Sequence, residues 1–176
     1  RMGLLGPDDL VARFTAAPPR AIFTGVHDSD QVEEAPLVAL AETQGYVPVP
    51  EEEPALLWLR PLASWDDAIR LGAVDLPRRA VAPGSQLLLT FYWQAVQPLD
   101  RNWSVLVRLV GPDGVTDLAR GEGWPWGRPT VDWPPGAVWP DGHTLVIPPD
   151  AAPGPYRVDV SFYDAATLEL LGDGPA

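Results

Sequence analysis

Leu87-Leu88-Leu89-Thr90-Phe91-Tyr92-Trp93-Gln94 alternates without a break. Leu87, Leu89, Phe91 and Trp93 fall on one side of an extended chain, and Leu88, Thr90, Tyr92 and Gln94 fall on the other. A period of two, ending in large aromatics, is the pattern of a strand that buries one face. Val81-Ala82-Pro83-Gly84-Ser85 in front of it reads as a turn, and Ile69–Val74 before that turn reads as a strand. Downstream, Pro98-Leu99-Asp100 separates it from a second alternating run, Trp103, Val105, Val107 and Leu109. Gly111-Pro112-Asp113-Gly114 signals a hairpin into a strand over Val115–Ala119. Thr144–Ile147 predicts another strand and Pro153-Gly154 another turn. Tyr156, Val158, Val160 and Phe162 line a last long strand, and Thr167–Leu171 is a candidate closing piece. Seven or eight short strands with turn residues between them predict a mainly β fold, an antiparallel two-sheet β-sandwich over residues 65–176. The pattern leaves an immunoglobulin-like and a jelly-roll-like strand order both open.

Residues 1–64 read differently, as a small α/β segment. Pro7-Asp8-Asp9 starts a helix carrying Leu10, Val11 and Phe14, and Pro18-Pro19 stops it. Ser29-Asp30 can cap a second helix with Leu37, Leu40 and Ala41 on one face and Gly45 beyond its end. Ala21–Val26, Tyr46–Val49 and Ala55–Leu59 are strand candidates, with the acidic run Glu51-Glu52-Glu53 as a solvated loop. So small a segment buries little core alone, so its apolar strands must lie against each other or against the sandwich. Pro61-Leu62-Ala63-Ser64 is the expected joint. The opening Arg1-Met2-Gly3 reads as the cut end of something longer rather than a mature terminus.

Composition narrows the function classes. The 22 Pro and 16 Gly are dispersed between apolar runs, as turns require, rather than gathered in one low-complexity tract. The net charge is −12, and every basic residue is Arg. Such a chain repels phosphate backbones and anionic bilayers, so no nucleic-acid partner is expected. The absence of Cys removes disulfides, thiolate zinc sites and Cys nucleophiles together. No apolar stretch approaches the ~20 residues a membrane helix needs, so this segment is not expected to insert in a membrane directly.

The second half resembles a known domain, on several ordered stretches. They are Ala82-Pro83-Gly84 with Leu89-Thr90-Phe91-Tyr92-Trp93-Gln94, and Pro98-Leu99-Asp100-Arg101-Asn102-Trp103-Ser104-Val105. Pro129-Thr130, Trp133-Pro134-Pro135-Gly136, His143-Thr144-Leu145 and Pro153-Gly154-Pro155-Tyr156-Arg157-Val158 through Tyr163-Asp164 continue the series. Together they resemble the C-terminal extracytoplasmic β-sandwich of bacterial membrane glycosyltransferases related to the dolichyl-phosphate-mannose protein mannosyltransferases. The resemblance implies a non-catalytic accessory domain with a structural or docking role on the outer face of the bacterial cytoplasmic membrane. Its first partner is then the upstream membrane part of the parent protein. In that family catalysis belongs to acidic residues between membrane helices, so no catalytic residue carries over to this chain.

One segment does not fit the strand pattern. Trp124, Trp126, Trp133 and Trp139 crowd into a Gly/Pro-rich stretch with no period of two. Carbohydrate-binding modules present exposed Trp faces to the C–H bonds of a pyranose, and Arg128, Asp132, Asp141 and His143 could orient its hydroxyls. Alternatively these Trp side chains cap an open end of the sandwich, each burying much of its ~150–250 Å². Trp133, beside Pro and Gly, suits that structural role, whereas Trp124 and Trp126 depart from the resembled pattern and are the better binding candidates. His27 and His143 are far apart in sequence, and Asp28 and Asp30 suit helix capping, so no metal and no cofactor is expected. Three readings follow: the accessory domain first, a carbohydrate-binding module second and a glycoside hydrolase third.

Overall fold

The computed structural model describes Ala12, Ala16 and residues 20–23, 35–48 and 57–172 of the chain, which divides into two compact units, Arg1–Pro61 and Leu62–Ala176. In the first unit β1 (Ala21–Phe23), β2 (Val47–Pro48) and β3 (Leu57–Leu59) form an antiparallel sheet with β3 in the middle. The two longest apolar runs therefore do lie against each other, with Ala21 opposite Leu59 and Phe23 opposite Leu57. Between β1 and β2 runs α1 (Ala35–Thr43). Gly45, at φ 71°, ends it: the Gln44 and Tyr46 amides bond back to the Leu40 and Ala41 carbonyls, both at 2.9 Å, satisfying the last turn. The helix expected over Leu10, Val11 and Phe14 lies outside the described residues, apart from helical Ala12, and so do Ser29-Asp30 and Glu51-Glu52-Glu53. No helix among the described residues is long and apolar enough to cross a membrane.

The second unit is the sandwich. Its strands are β4 (Ala63–Trp65), β5 (Ile69–Asp75), β6 (Gln86–Ala95), β7 (Trp103–Val110), β8 (Asp117–Gly123), β9 (Val138–Val146) and β10 (Arg157–Asp164). One sheet runs β4-β5-β6-β9 and the other β10-β7-β8, with every pairing antiparallel. The chain crosses from β6 to β7 between sheets, returns to pair β9 with β6, and crosses again to pair β10 with β7. With β4 set aside, β5-β6-β9 and β8-β7-β10 match the A-B-E and C′-C-F part of an immunoglobulin-like strand order.

The alternating residues do what their period predicts. Leu87, Leu89, Phe91 and Trp93 of β6 are buried, and so are Trp103, Val105, Val107 and Leu109 of β7. Phe162 of β10 joins the sheets through its ring, 5.0 Å from Trp93 and 5.3 Å from Trp65, both edge-on. Such pairs add about 0.5–1.5 kcal/mol each beyond the area they bury.

Four boundaries differ from the sequence reading. Ala63 and Ser64, expected in the joint, pair with β5. β8 starts at Asp117, later than Val115, because the Asp113 side chain accepts the Val115 and Thr116 amides and lengthens the turn. Thr167–Leu171 contributes a single bridge, Tyr163 to Leu170, rather than a strand. The largest difference is β9, which begins at Val138 rather than Thr144 and so takes in Trp139, Asp141 and His143. Pro140 is tolerated there because β9 is an edge strand of its sheet.

Candidate functional site

The connection from β8 to β9 carries most of the residues singled out from sequence. Pro125–Gly127 and Thr130–Asp132 each make a 3₁₀ turn. Three anchors hold this connection to the sandwich. The Trp126 amide donates to Asp141 Oδ1 at 2.8 Å. Thr130 Oγ1 accepts the Trp103 amide at 2.8 Å and donates to the Arg101 carbonyl at 3.1 Å. The Gly136 amide donates to the Ala95 carbonyl at 2.9 Å, and Gln94 Nε2 donates to the Gly136 carbonyl at 2.9 Å.

Asp141 links this turn to the core. It faces inward on β9, opposite Phe91, and is only 4% exposed. Its Oδ2 accepts from Trp93 Nε1 at 3.0 Å and from His143 Nε2 at 2.8 Å, and its Oδ1 takes the Trp126 amide. Burying a carboxyl is costly unless donors surround it, and these three donors do so. His143 is itself packed edge-on against Phe91 at 5.6 Å. Gly121 of β8 lies across from it: a Cβ there would come to 3.1 Å from His143 Nδ1, a tight contact that the imidazole would have to ease by a few tenths of an ångström.

Trp126 sits at φ 55°, ψ 19°, a left-handed conformation that a bulky side chain rarely adopts and that costs about 1–3 kcal/mol. The bond to Asp141 and the packing of its ring stabilise it there. Its ring lies 4.6 Å from that of Trp139, tilted by 35°. The Arg128 guanidinium is 5.2 Å from the Trp126 ring and 5.8 Å from the Trp139 ring. The guanidinium thus lies over both rings, and Trp126 is still 45% exposed. Trp124, on the same turn, is 47% exposed and has no ring contact among the described residues.

The seven candidates therefore separate. Trp126, Arg128, Trp139, Asp141 and His143 form one connected group, with Trp124 beside it. Asp132 is exposed on the second 3₁₀ turn and has no hydrogen bond or ion pair to the group among the described residues. Trp133, at 2% exposure, belongs to the core, 6.1 Å from Trp139. The sequence reading missed Trp93 and Gly121 as supports of the site. The available signal was an alternating stripe, Trp139, Asp141, His143 and Leu145, paired with Trp93, Phe91, Leu89 and Leu87.

The carboxylates elsewhere are mostly turn elements. Asp113 caps the β7–β8 hairpin, and Asp164 Oδ1 accepts the Ala166 and Thr167 amides. No group of three His, Cys, Asp or Glu gathers to hold a metal ion among the described residues. His27, Asp28, Asp30 and Asp173 lie outside them. What the turn can do chemically is present a fixed aromatic surface with one cation at its edge. No protein-family model matches the chain, and no curated protein matches it.

Proposed function

We propose that the chain is a non-catalytic extracytoplasmic accessory domain of a membrane glycosyltransferase-like parent, and that its sandwich docks onto a glycan through Trp124, Trp126 and Arg128. The observation that carries the glycan contact is Trp126, an indole half open to solvent yet held in a left-handed conformation by a buried carboxyl. A platform fixed before binding loses less entropy when a ligand arrives. The negative face of an indole attracts C–H bonds polarised by neighbouring hydroxyls, which is what a pyranose offers. Arg128 supplies donors at the edge of the same surface.

The accessory role draws support from where the resembled stretches fall. They fall in β6, the start of β7, the buried Trp133, the His143–Leu145 part of β9 and β10, together with turns, which belong to the scaffold of the sandwich. Trp124 and Trp126 lie apart from that scaffold pattern and supply a ligand surface of this chain's own. The upstream membrane part of the parent would hold the sandwich on the outer face. The hydrolase reading draws less support, because Asp141, the carboxylate of this group, already accepts three hydrogen bonds within the protein and Asp132 stands apart from it.

A tryptophan-fluorescence titration against a panel of neutral and acidic oligosaccharides tests the reading. Saturable change that disappears in Trp126→Ala, and weakens in Trp124→Ala, is the expected result. Silence across the panel removes the glycan contact and leaves a purely structural appendage.

A further inference from the structure

Toward the other end of β6, about 14–20 Å by strand length from the Phe91 and Trp93 positions that pair with the tryptophan site, lies a cleft of about 470 Å³. Leu87 and Ile147 from one sheet and Leu109 and Val158 from the other form its walls, so the interior of the sandwich itself lines it. The segment Arg78-Arg79-Ala80-Val81 and the turn Ala151–Tyr156 border the opening. That volume is within the range of small-molecule sites.

The charge at this opening is unlike that of the rest of the chain. Acidic residues outnumber basic ones 24 to 12, yet no Asp or Glu lines the cleft and two Arg do. Arg78 and Arg79 are exposed, and among the described residues neither has an ion pair or hydrogen bond. Arg101, Arg108 and Arg157, by contrast, are each matched by carboxylates. The wider hollow at the other end, about 700 Å³, contains Arg101 among Asp66, Asp100 and Glu169, and its charge is compensated internally. Arg78 and Val81 also border a second hollow of about 280 Å³ with exposed Leu88, so apolar surface continues past the arginines.

We infer that this sheet-end cleft binds a single-chain amphiphilic anion, its alkyl chain between the sheets and its phosphate or carboxylate on Arg78 and Arg79. An apolar slot with uncompensated guanidinium groups at its mouth matches that chemistry at both ends. The net charge of −12 opposes an anionic bilayer surface, so the ligand is a discrete molecule that leaves its aggregate. The site is independent of the tryptophan turn.

Isothermal titration of the whole chain with decyl phosphate below its micelle concentration tests this, beside decanol, inorganic phosphate and phosphatidylglycerol vesicles. Decyl phosphate should bind saturably at one per chain, decanol about ten- to a hundredfold more weakly and inorganic phosphate not measurably, since the anion adds charged hydrogen bonds that decanol lacks. Arg78→Gln combined with Arg79→Gln should bring decyl phosphate down to the decanol level. Ala152→Trp, at an exposed position on the rim, should block both alkyl ligands, whereas Trp126→Ala, which removes the glycan surface, should leave the affinity for decyl phosphate as it is. Equal affinity for decyl phosphate and decanol overturns the proposal, as does phosphate binding alone, binding to vesicles only, or no binding.

Discussion

The two sides of Asp141 use tryptophan in opposite ways. Toward the core, Trp93 is fully buried, stacked on Phe91 at 5.2 Å and edge-on to Trp65 and Phe162. Toward the turn, Trp126 packs on Trp139 at a tilt and at a similar distance, yet nearly half its surface meets water. Both donate to the same carboxyl, Trp93 through its ring nitrogen and Trp126 through its backbone. The difference comes from the backbone. An extended strand sends every second side chain inward, whereas one residue at positive φ turns its side chain out of the layer. Trp126 is exposed at a positive φ and Trp124 on extended backbone, so the hydrophobicity common to all these tryptophans does not by itself decide which are buried.

Breaking the inner side should cost most. Trp93→Ala should lose about 3–5 kcal/mol in urea unfolding, the usual range for a buried Trp. A loss under about 1 kcal/mol would mean the aromatic cluster does not hold the sheets together. Asp141→Ala should lose about 1–3 kcal/mol by leaving a buried indole N–H without its acceptor. It should also speed amide hydrogen exchange at Trp126. Unchanged exchange there would separate the two sides and show that the turn holds itself. Trp126→Gly against Trp126→Ala sharpens the contrast: glycine should be the more stable by about 1 kcal/mol, because only glycine adopts positive φ freely. Both should lose glycan binding alike, and alanine matching glycine would mean that the turn relaxes.

The smallest effect lies away from both tryptophan sites, in the β7–β8 hairpin. The Thr116 hydroxyl and then the Thr116 and Val115 amides hold the Asp113 carboxyl down from 3.8 to about 2. A folded value below the unfolded one means this stabilisation is present above the ordinary carboxylate range and is lost as pH falls from 3.8 toward about 2. Asp113→Asn should flatten the fall of Tm across that window while leaving both tryptophan sites untouched. A fall as steep as in the unaltered protein would assign it to other carboxylates.

The sandwich was legible where alternation was uninterrupted. Leu87 through Gln94, Trp103 through Leu109 and Tyr156 through Phe162 announced buried faces, and those faces are buried or half-buried in the fold. β9 was legible only from Thr144 onward, because its outward positions are Pro140 and Gly142, residues that ordinarily mark turns. Their inward neighbours kept the period of two, but two of these, Asp141 and His143, are polar and did not read as core. The tryptophan cluster was visible as composition. Its division into buried Trp133 and exposed Trp126 was not, since it depends on a backbone angle and on the carboxyl of a residue fifteen positions away. The strand order was also hidden, because strand pairing between distant segments leaves no local pattern.

Pro140 has one more effect, on how copies of this domain meet. Both sheets are open, so β4, β9, β8 and β10 each turn one side of their backbone outward. Strand-to-strand polymerisation needs a long, flat and uncharged row of such groups. β4 has only three residues, β9 is interrupted at Pro140 and Gly142, β8 bears Asp117, Arg120 and Glu122, and β10 bears Arg157 and Asp159. None of the four offers a template for a neighbour. Pairing of copies through these four strands is thereby disfavoured.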